Sequence, residues 1–215
     1  AQDRLSVAKR VVSDFIEGRP NDRIGVVVFG EEAFTFVPLT TDHASLLEVL
    51  RGVEIGVAGA QGTAIGSAIA VGAKRLKDLD APSKILILLT DGRNNAGRVQ
   101  PMEAAQAAAA LDIKVYTIGV GAQATGMKGL FFGNDGLDEK GLRAIAEATD
   151  GRFFRATSSR SLEQIYATID ELEPSPAEVR ELVHHEEMFR LFAAPGLLLL
   201  MAQLLLGHTL LRRGP

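Results

Sequence analysis

Three apolar runs limit what this chain can fold into. Ile24-Gly25-Val26-Val27-Val28-Phe29 reads as a strand buried on both faces, and Ile85-Leu86-Ile87-Leu88-Leu89-Thr90 and Ile113-Lys114-Val115-Tyr116-Thr117-Ile118 as two further buried strands. Stretches with helical spacing lie around them. Arg4 to Glu17 places Leu5, Ala8, Val11, Val12, Phe15 and Ile16 on one stripe, and residues 64–79 do the same with Ile65, Ala68, Ile69, Ala73 and Leu76. Further helices are predicted at 44–50, 104–111, 137–149 and 159–172. This alternation places the chain in the α/β class, as a doubly wound, mostly parallel sheet with helices on both faces. The C-terminal ends of the strands then form the working edge, where Asp91 and the loop after Ile118 fall.

The smaller pieces fit that frame. Gly18-Arg19-Pro20-Asn21-Asp22 breaks the first helix. Ala33 to Val37 reads as a short edge strand stopped by Pro38, with Phe34 and Phe36 on one side. Thr40-Thr41-Asp42 offers a helix cap. His43 sits in that cap region with no evident partner. Val53 to Gln61 is a Gly/Ala-rich loop, Asp91 to Val99 a polar loop, and Gly119 to Gly136 a glycine-rich loop carrying Leu130-Phe131-Phe132. Arg152 to Arg155 is a short strand.

With 215 residues, the chain can hold one α/β domain and an appendage. Apolar residues make up 47% and charged residues 23%, so the body is globular rather than disordered. The net charge is -4 with both signs mixed throughout, which argues against a nucleic-acid surface. The lack of cysteine excludes disulfides, zinc thiolate sites and cysteine nucleophiles. The chain opens at Ala1 without an initiator Met or an apolar signal segment, and reads as a piece of a longer protein.

The composition changes towards the C-terminus. Glu173 to Pro176 reads as a linker, and the charged run Glu171 to Glu187 as a solvated stalk. Leu191 to Leu211 has only Gln203, His208 and Thr209 as clearly polar members, with Arg190 before it and Arg212-Arg213 after it. A helix of that length spans roughly 30 Å, the hydrocarbon thickness of a bilayer. The expected organisation is an α/β domain over 1–172, a juxtamembrane stalk over 173–190 and a transmembrane helix over 191–211. Arg212-Arg213 favours an inside C-terminus, which leaves the globular part outside the cytosol.

Two residues carry the candidate chemistry. Thr63, in Gly62-Thr63-Ala64-Ile65-Gly66, sits at a helix start, and Asp91, in Thr90-Asp91-Gly92, sits at the tip of a buried strand. Oxygen ligands converging at one sheet edge suit a hard divalent ion such as Mg2+. Each residue also has a plainer explanation: Thr63 as an N-cap and Asp91 as a turn former. Other chemistries lack their motifs. The glycines from Gly56 to Gly66 contain no Gly-Lys-Ser/Thr, no Gly-x-Gly-x-x-Gly follows a strand, and no Gly-x-Ser-x-Gly occurs. His184-His185 point to different faces of a helix.

These segments together resemble the von Willebrand factor A (VWA) family, and within it the membrane-anchored bacterial aerotolerance proteins of BatA type. The resemblance runs through Asn21-Asp22-Arg23-Ile24-Gly25-Val26-Val27-Val28-Phe29, Pro38-Leu39-Thr40-Thr41-Asp42 and Gly62-Thr63-Ala64-Ile65-Gly66. It continues in Leu88-Leu89-Thr90-Asp91-Gly92-Arg93-Asn94-Asn95-Ala96-Gly97, Ile113 to Gly121, Leu137-Asp138-Glu139, Ile145-Ala146, Gly151-Arg152-Phe153-Phe154 and the closing apolar segment.

The resemblance implies a metal-ion-dependent adhesion site, in which Thr63 matches the family's Thr and Asp91 its Asp. The family's third element, Asp-x-Ser-x-Ser, occurs nowhere in these residues and is expected upstream, at the end of a central first strand. Arg93 departs from the family's more usual acidic or polar residue. The implied function is a non-enzymatic, membrane-tethered interaction module of the bacterial inner membrane, with its globular part in the periplasm. It would bind protein partners that offer a carboxylate to Mg2+, including a MoxR-type AAA+ ATPase and other VWA proteins, in envelope stress tolerance or complex assembly. Two alternatives stay open: an α/β hydrolase using Asp91, and a structural VWA module whose site is incomplete and binds no metal.

Overall fold

The structure, a computed structural model, describes residues 4–59, 61–120, 137–175, 201 and 203. Helix α1 (Arg4–Glu17) leads into the hairpin β1 (Ile24–Phe29) and β2 (Ala33–Thr40). Helices α2 (His43–Arg51) and α3 (Ile65–Leu76) follow, then β3 (Lys84–Thr90), α4 (Pro101–Ala109) and β4 (Ile113–Val120). The last elements are α5 (Glu139–Glu147), β5 (Phe153–Ala156) and α6 (Ser159–Leu172). All of them belong to the first of two compact units, Ala1–Ala177 and Glu178–Pro215. The expected membrane segment, 191–211, lies outside the described residues except for Met201 and Gln203. Among the described residues no helix is long and apolar enough to cross a membrane. Leu130-Phe131-Phe132 and His184-His185 also lie outside them.

The strands form two sheets. β1 and β2 pair antiparallel, while β3, β4 and β5 are parallel in that order. The parallel sheet follows the two-residue alternation closely. Leu86, Leu88, Ile113, Val115 and Phe153 face α3, α4 and α5. Ile85, Ile87, Leu89, Tyr116, Ile118 and Phe154 face α1 and α6. Helix α1 serves both sheets. Val11 and Phe15 lie in the cluster on the parallel sheet, whereas Ile16 lies with Val37, Leu46 and Leu50 beside β1 and β2.

The structure corrects several local expectations. β1 is not buried on both faces: Val26, Val27, Val28 and Phe29 are only half-buried. Among the described residues its only strand partner is β2, and Val26 and Val28 pack against the Leu46 and Leu50 cluster while Phe29 packs against the α3 side. β2 does not stop at Pro38 but runs on to Thr40. The ladder shifts register between the Ile24 and Val26 pairs, and an edge strand tolerates a residue with no N–H to donate. His43 has a partner after all, since its Nε2 lies 2.9 Å from the Asp22 carbonyl. α2 is capped by Asp42, whose carboxylate accepts from the Ser45 N–H at 3.1 Å. Glu173, expected in a solvated linker, is buried.

Candidate metal centre

The C-terminal ends of β1 and β3 meet at one loop. Gly30, just past β1, accepts a 2.7 Å hydrogen bond from the Ala64 N–H through its carbonyl. Gly92, just past Asp91, lies so near the same loop that a methyl group on it would sit 2.9 Å from Thr63 Oγ1. The fold therefore brings Thr63 and the Asp91-Gly92 turn together at the rim of the sheet. Asp91 is exposed there and Thr63 is half-buried.

The N-cap explanation of Thr63 fails. α3 begins at Ile65 with Ala64 as its N-cap, and no side chain caps it. The Thr63 hydroxyl is turned towards Gly92 rather than spent on a helix N–H.

Two asparagines, given no role from sequence, fix the Thr63 loop. The Thr63 N–H donates to Asn95 Oδ1 at 2.8 Å, and the Asn95 N–H donates back to the Thr63 carbonyl at 3.1 Å. The Gly66 N–H reaches Asn94 Oδ1 at 3.3 Å. From the other side, Glu31 Oε1 accepts from the Gln61 N–H at 3.0 Å. The Glu31 side chain occupies the space that a Cβ on Gly59 or Gly62 would need. Gly59 and Gly62, in the glycine stretch that lacks a phosphate-loop motif, instead leave room for the Glu31 side chain against the loop before α3. Their signal was visible, but its meaning depends on a side chain about 30 positions away.

Close approach also explains Gly66. A Cβ there would meet the Val99 carbonyl oxygen at 2.1 Å, so α3 can pass the loop after β3 only with a glycine at that point. Thr63 and Asp91 hang from elements locked at this crossing.

The donor chemistry fits a hard cation. A hydroxyl and a carboxylate offer oxygen only, and among the described residues no group of three or more His, Cys, Asp or Glu gathers to make a softer or more acidic cage. Arg93 is exposed next to Asp91 and adds positive charge at the rim.

A parallel sheet covered by helices on both faces, with a threonine and an aspartate turn brought together at its rim, defines the domain as an α/β domain of this arrangement. The chain belongs to the von Willebrand factor type A domain family, whose profile matches residues 2–168. A solved aerotolerance-related membrane protein from Bacteroides fragilis superposes with a TM-score of 0.65 at 28% identity, over 79% of this chain and 89% of that one. BatB from Bacteroides thetaiotaomicron gives 0.64 at 30% identity, over 79% and 88%. Proximal thread matrix protein 1 of the mussel byssus, solved with a zinc-occupied MIDAS motif, shares the fold at 21% identity and a TM-score of 0.61, over 78% and 42%. An uncharacterised protein of Borreliella burgdorferi is 25% identical over 221 residues, covering 99% of this chain. The chain spans 64% of that relative's length.

Proposed function

We propose that this chain is a protein-interaction module that grips its partners through a shared divalent cation, Mg2+, held in part by Thr63 and Asp91. The observation that carries this reading is the approach of the Thr63 hydroxyl to the Asp91-Gly92 turn, with no helix cap using that hydroxyl. The remaining ligands come from an Asp-x-Ser-x-Ser segment, which these 215 residues do not contain. A cation bound mainly by neutral hydroxyls and water keeps enough charge to take a carboxylate from a partner. One carboxylate and one hydroxyl supply no acid–base pair, so the reading is adhesion rather than catalysis.

The likeness to the aerotolerance-related membrane protein and to BatB supports a role of the same kind, here assigned to the BatA type. In this reading residues 191–211 anchor the chain in the bacterial inner membrane and the domain stands in the periplasm. A MoxR-type AAA+ ATPase and other VWA proteins are the partners, and envelope stress tolerance or complex assembly is the process.

The test uses the complete parent protein. Partner retention by affinity capture is compared for the parent and Asp91→Ala, in Mg2+ and in EDTA. Retention that requires Mg2+ and falls in the variant supports the reading. Equal retention in all four conditions overturns it.

A further inference from the structure

Helices α1 and α6 pack side by side, and their seam does not close. Phe15 and Tyr166 meet across it with ring centroids 4.9 Å apart. Gly18 and Ala167 carry too little side chain to fill the space beside this pair, and a groove of about 210 Å³ is left. Sites for cofactors and metabolites run to roughly 300–1,000 Å³. This one suits a single side chain rather than a small-molecule ligand.

The residues that line the groove include three carboxylates, Asp14, Glu163 and Asp170, and no basic group. Asp170 pairs with Arg19 at 2.8 Å, and Glu163 lies 3.5 Å from Arg10 in a half-exposed pair. The Asp14 carboxylate has no such partner among the described residues. Exposed carboxylates alone do not make a site, because surface ion pairs are worth little in water.

The second observation is Tyr166. It lines the same groove and is only 6% exposed. Its hydroxyl has no hydrogen-bond partner among the described residues, whereas the Tyr116 hydroxyl donates to Glu173 at 2.7 Å. A buried phenol normally finds a partner. Nor is the oxygen sealed in the core: among the described residues, the fully buried side-chain atoms without a partner are Arg19 Nε and Arg155 Nε. An unsatisfied hydroxyl therefore borders the groove beside an unpaired carboxylate.

We propose that the α1–α6 groove receives a basic side chain, an arginine or a lysine, presented by a protein partner. The stem of that side chain lies on Phe15 and the Tyr166 ring, and its cation meets Asp14. The partner's adjoining main-chain carbonyl accepts from the Tyr166 hydroxyl. Charge complementarity selects this occupant, since an acidic or apolar side chain would leave Asp14 without a counter-charge. The inference uses neither Thr63 nor Asp91 and does not depend on the metal reading.

The test titrates the full chain, nitrogen-15-labelled in nonionic micelles, with N-acetyl-arginine methylamide and, as the uncharged match, N-acetyl-norleucine methylamide. Amide signals of Gly18 and Ala167 report the groove, and that of Leu88 in β3 is the control. The arginine probe is expected to shift the two groove signals saturably and leave Leu88 in place, with norleucine inert. Asp14 is exposed, so Asp14→Asn keeps the fold. It should weaken the arginine probe about tenfold, the worth of a hydrogen bond to a charged group. Tyr166→Phe keeps the ring and should weaken it about fivefold. Equal shifts with norleucine would mean an apolar crevice only, and overturn the proposal. So do still signals at Gly18 and Ala167, or an affinity that neither variant changes. Shifts that grow with protein concentration in the absence of any probe would give the groove to a second copy of the chain, and overturn it as well.

Discussion

Thr63 and Asn95 exchange backbone and side chain in a closed pair: the Thr63 N–H donates to Asn95 Oδ1, and the Asn95 N–H donates to the Thr63 carbonyl. The loop before α3 and the loop after β3 are therefore tied to each other at this point. Asn95→Ala removes the side-chain half only. It is expected to cost about 1 kcal/mol. Amide exchange at Thr63 rises, while that of the β3 core stays unchanged. Hydrogen exchange read by NMR checks this; unaltered protection at Thr63 would mean that the bond carries no weight.

Thr63→Val removes the hydroxyl and keeps the shape. Because that hydroxyl caps no helix, the fold loses little, within about 0.5 kcal/mol for a half-exposed site. In the complete parent protein, Mg2+-dependent partner retention is lost all the same. Separating a thermal melt from a capture assay in this way distinguishes a metal ligand from a loop-forming threonine.

Gly66→Ala and Gly72→Ala lie on the same helix and should differ sharply. Each gains about 1 kcal/mol of helix propensity. At Gly72 the added methyl meets only the tip of Leu86, at 2.3 Å, which can rotate away. At Gly66 it meets the backbone carbonyl of Val99, at 2.1 Å, which cannot. Gly66→Ala is expected to be destabilising by at least about 2 kcal/mol, with Gly72→Ala near neutral. Urea midpoints decide it, and equal midpoints would contradict the tight crossing.

Glu173 gives the domain an acid-sensitive contact. Burial pushes its carboxyl up. The hydrogen bonds from Lys114, Tyr116 and Ser83, with the Lys114 charge, outweigh that and hold it below the usual carboxylate range. A lowered folded value stabilises the native state above the unfolded value, near 4.5, and the contribution is lost as the pH falls through the folded value. Asp42 acts in the same direction, through its hydrogen bonds with Ser45. Stability should decline below about pH 4.5, and Glu173→Gln should flatten that slope. Denaturation midpoints from pH 3 to pH 7 provide the check.

The chain has two tyrosines, and both resist ionisation. Burial raises the Tyr116 phenol, and its bond to Glu173 raises it further, while burial alone raises Tyr166. Raised folded values mean stability that is complete below the ordinary tyrosine value of about 10 and is lost as the pH climbs beyond it. Ultraviolet titration should show no tyrosinate before alkaline unfolding. A smooth titration near pH 10 in the folded protein would contradict this burial.

What the sequence by itself determined was the periodic part. α1 and α6 occupy the stretches that their single apolar stripes mark, because a helix with one buried face announces itself locally. The strand runs of β3 and β4 are equally legible, and with them the place of Asp91 just past the end of β3. The tertiary structure decided the rest. Whether β1 is covered depends on what lies beside it. Whether the glycines near Thr63 cradle a ligand or a glutamate depends on Glu31. Glu173 reads as linker because its partners Ser83 and Arg19 lie 90 and 154 positions away. Periodicity reports only which face of a segment is apolar, whereas a buried polar contact depends on two distant segments meeting at bonding distance, which only the folded chain fixes.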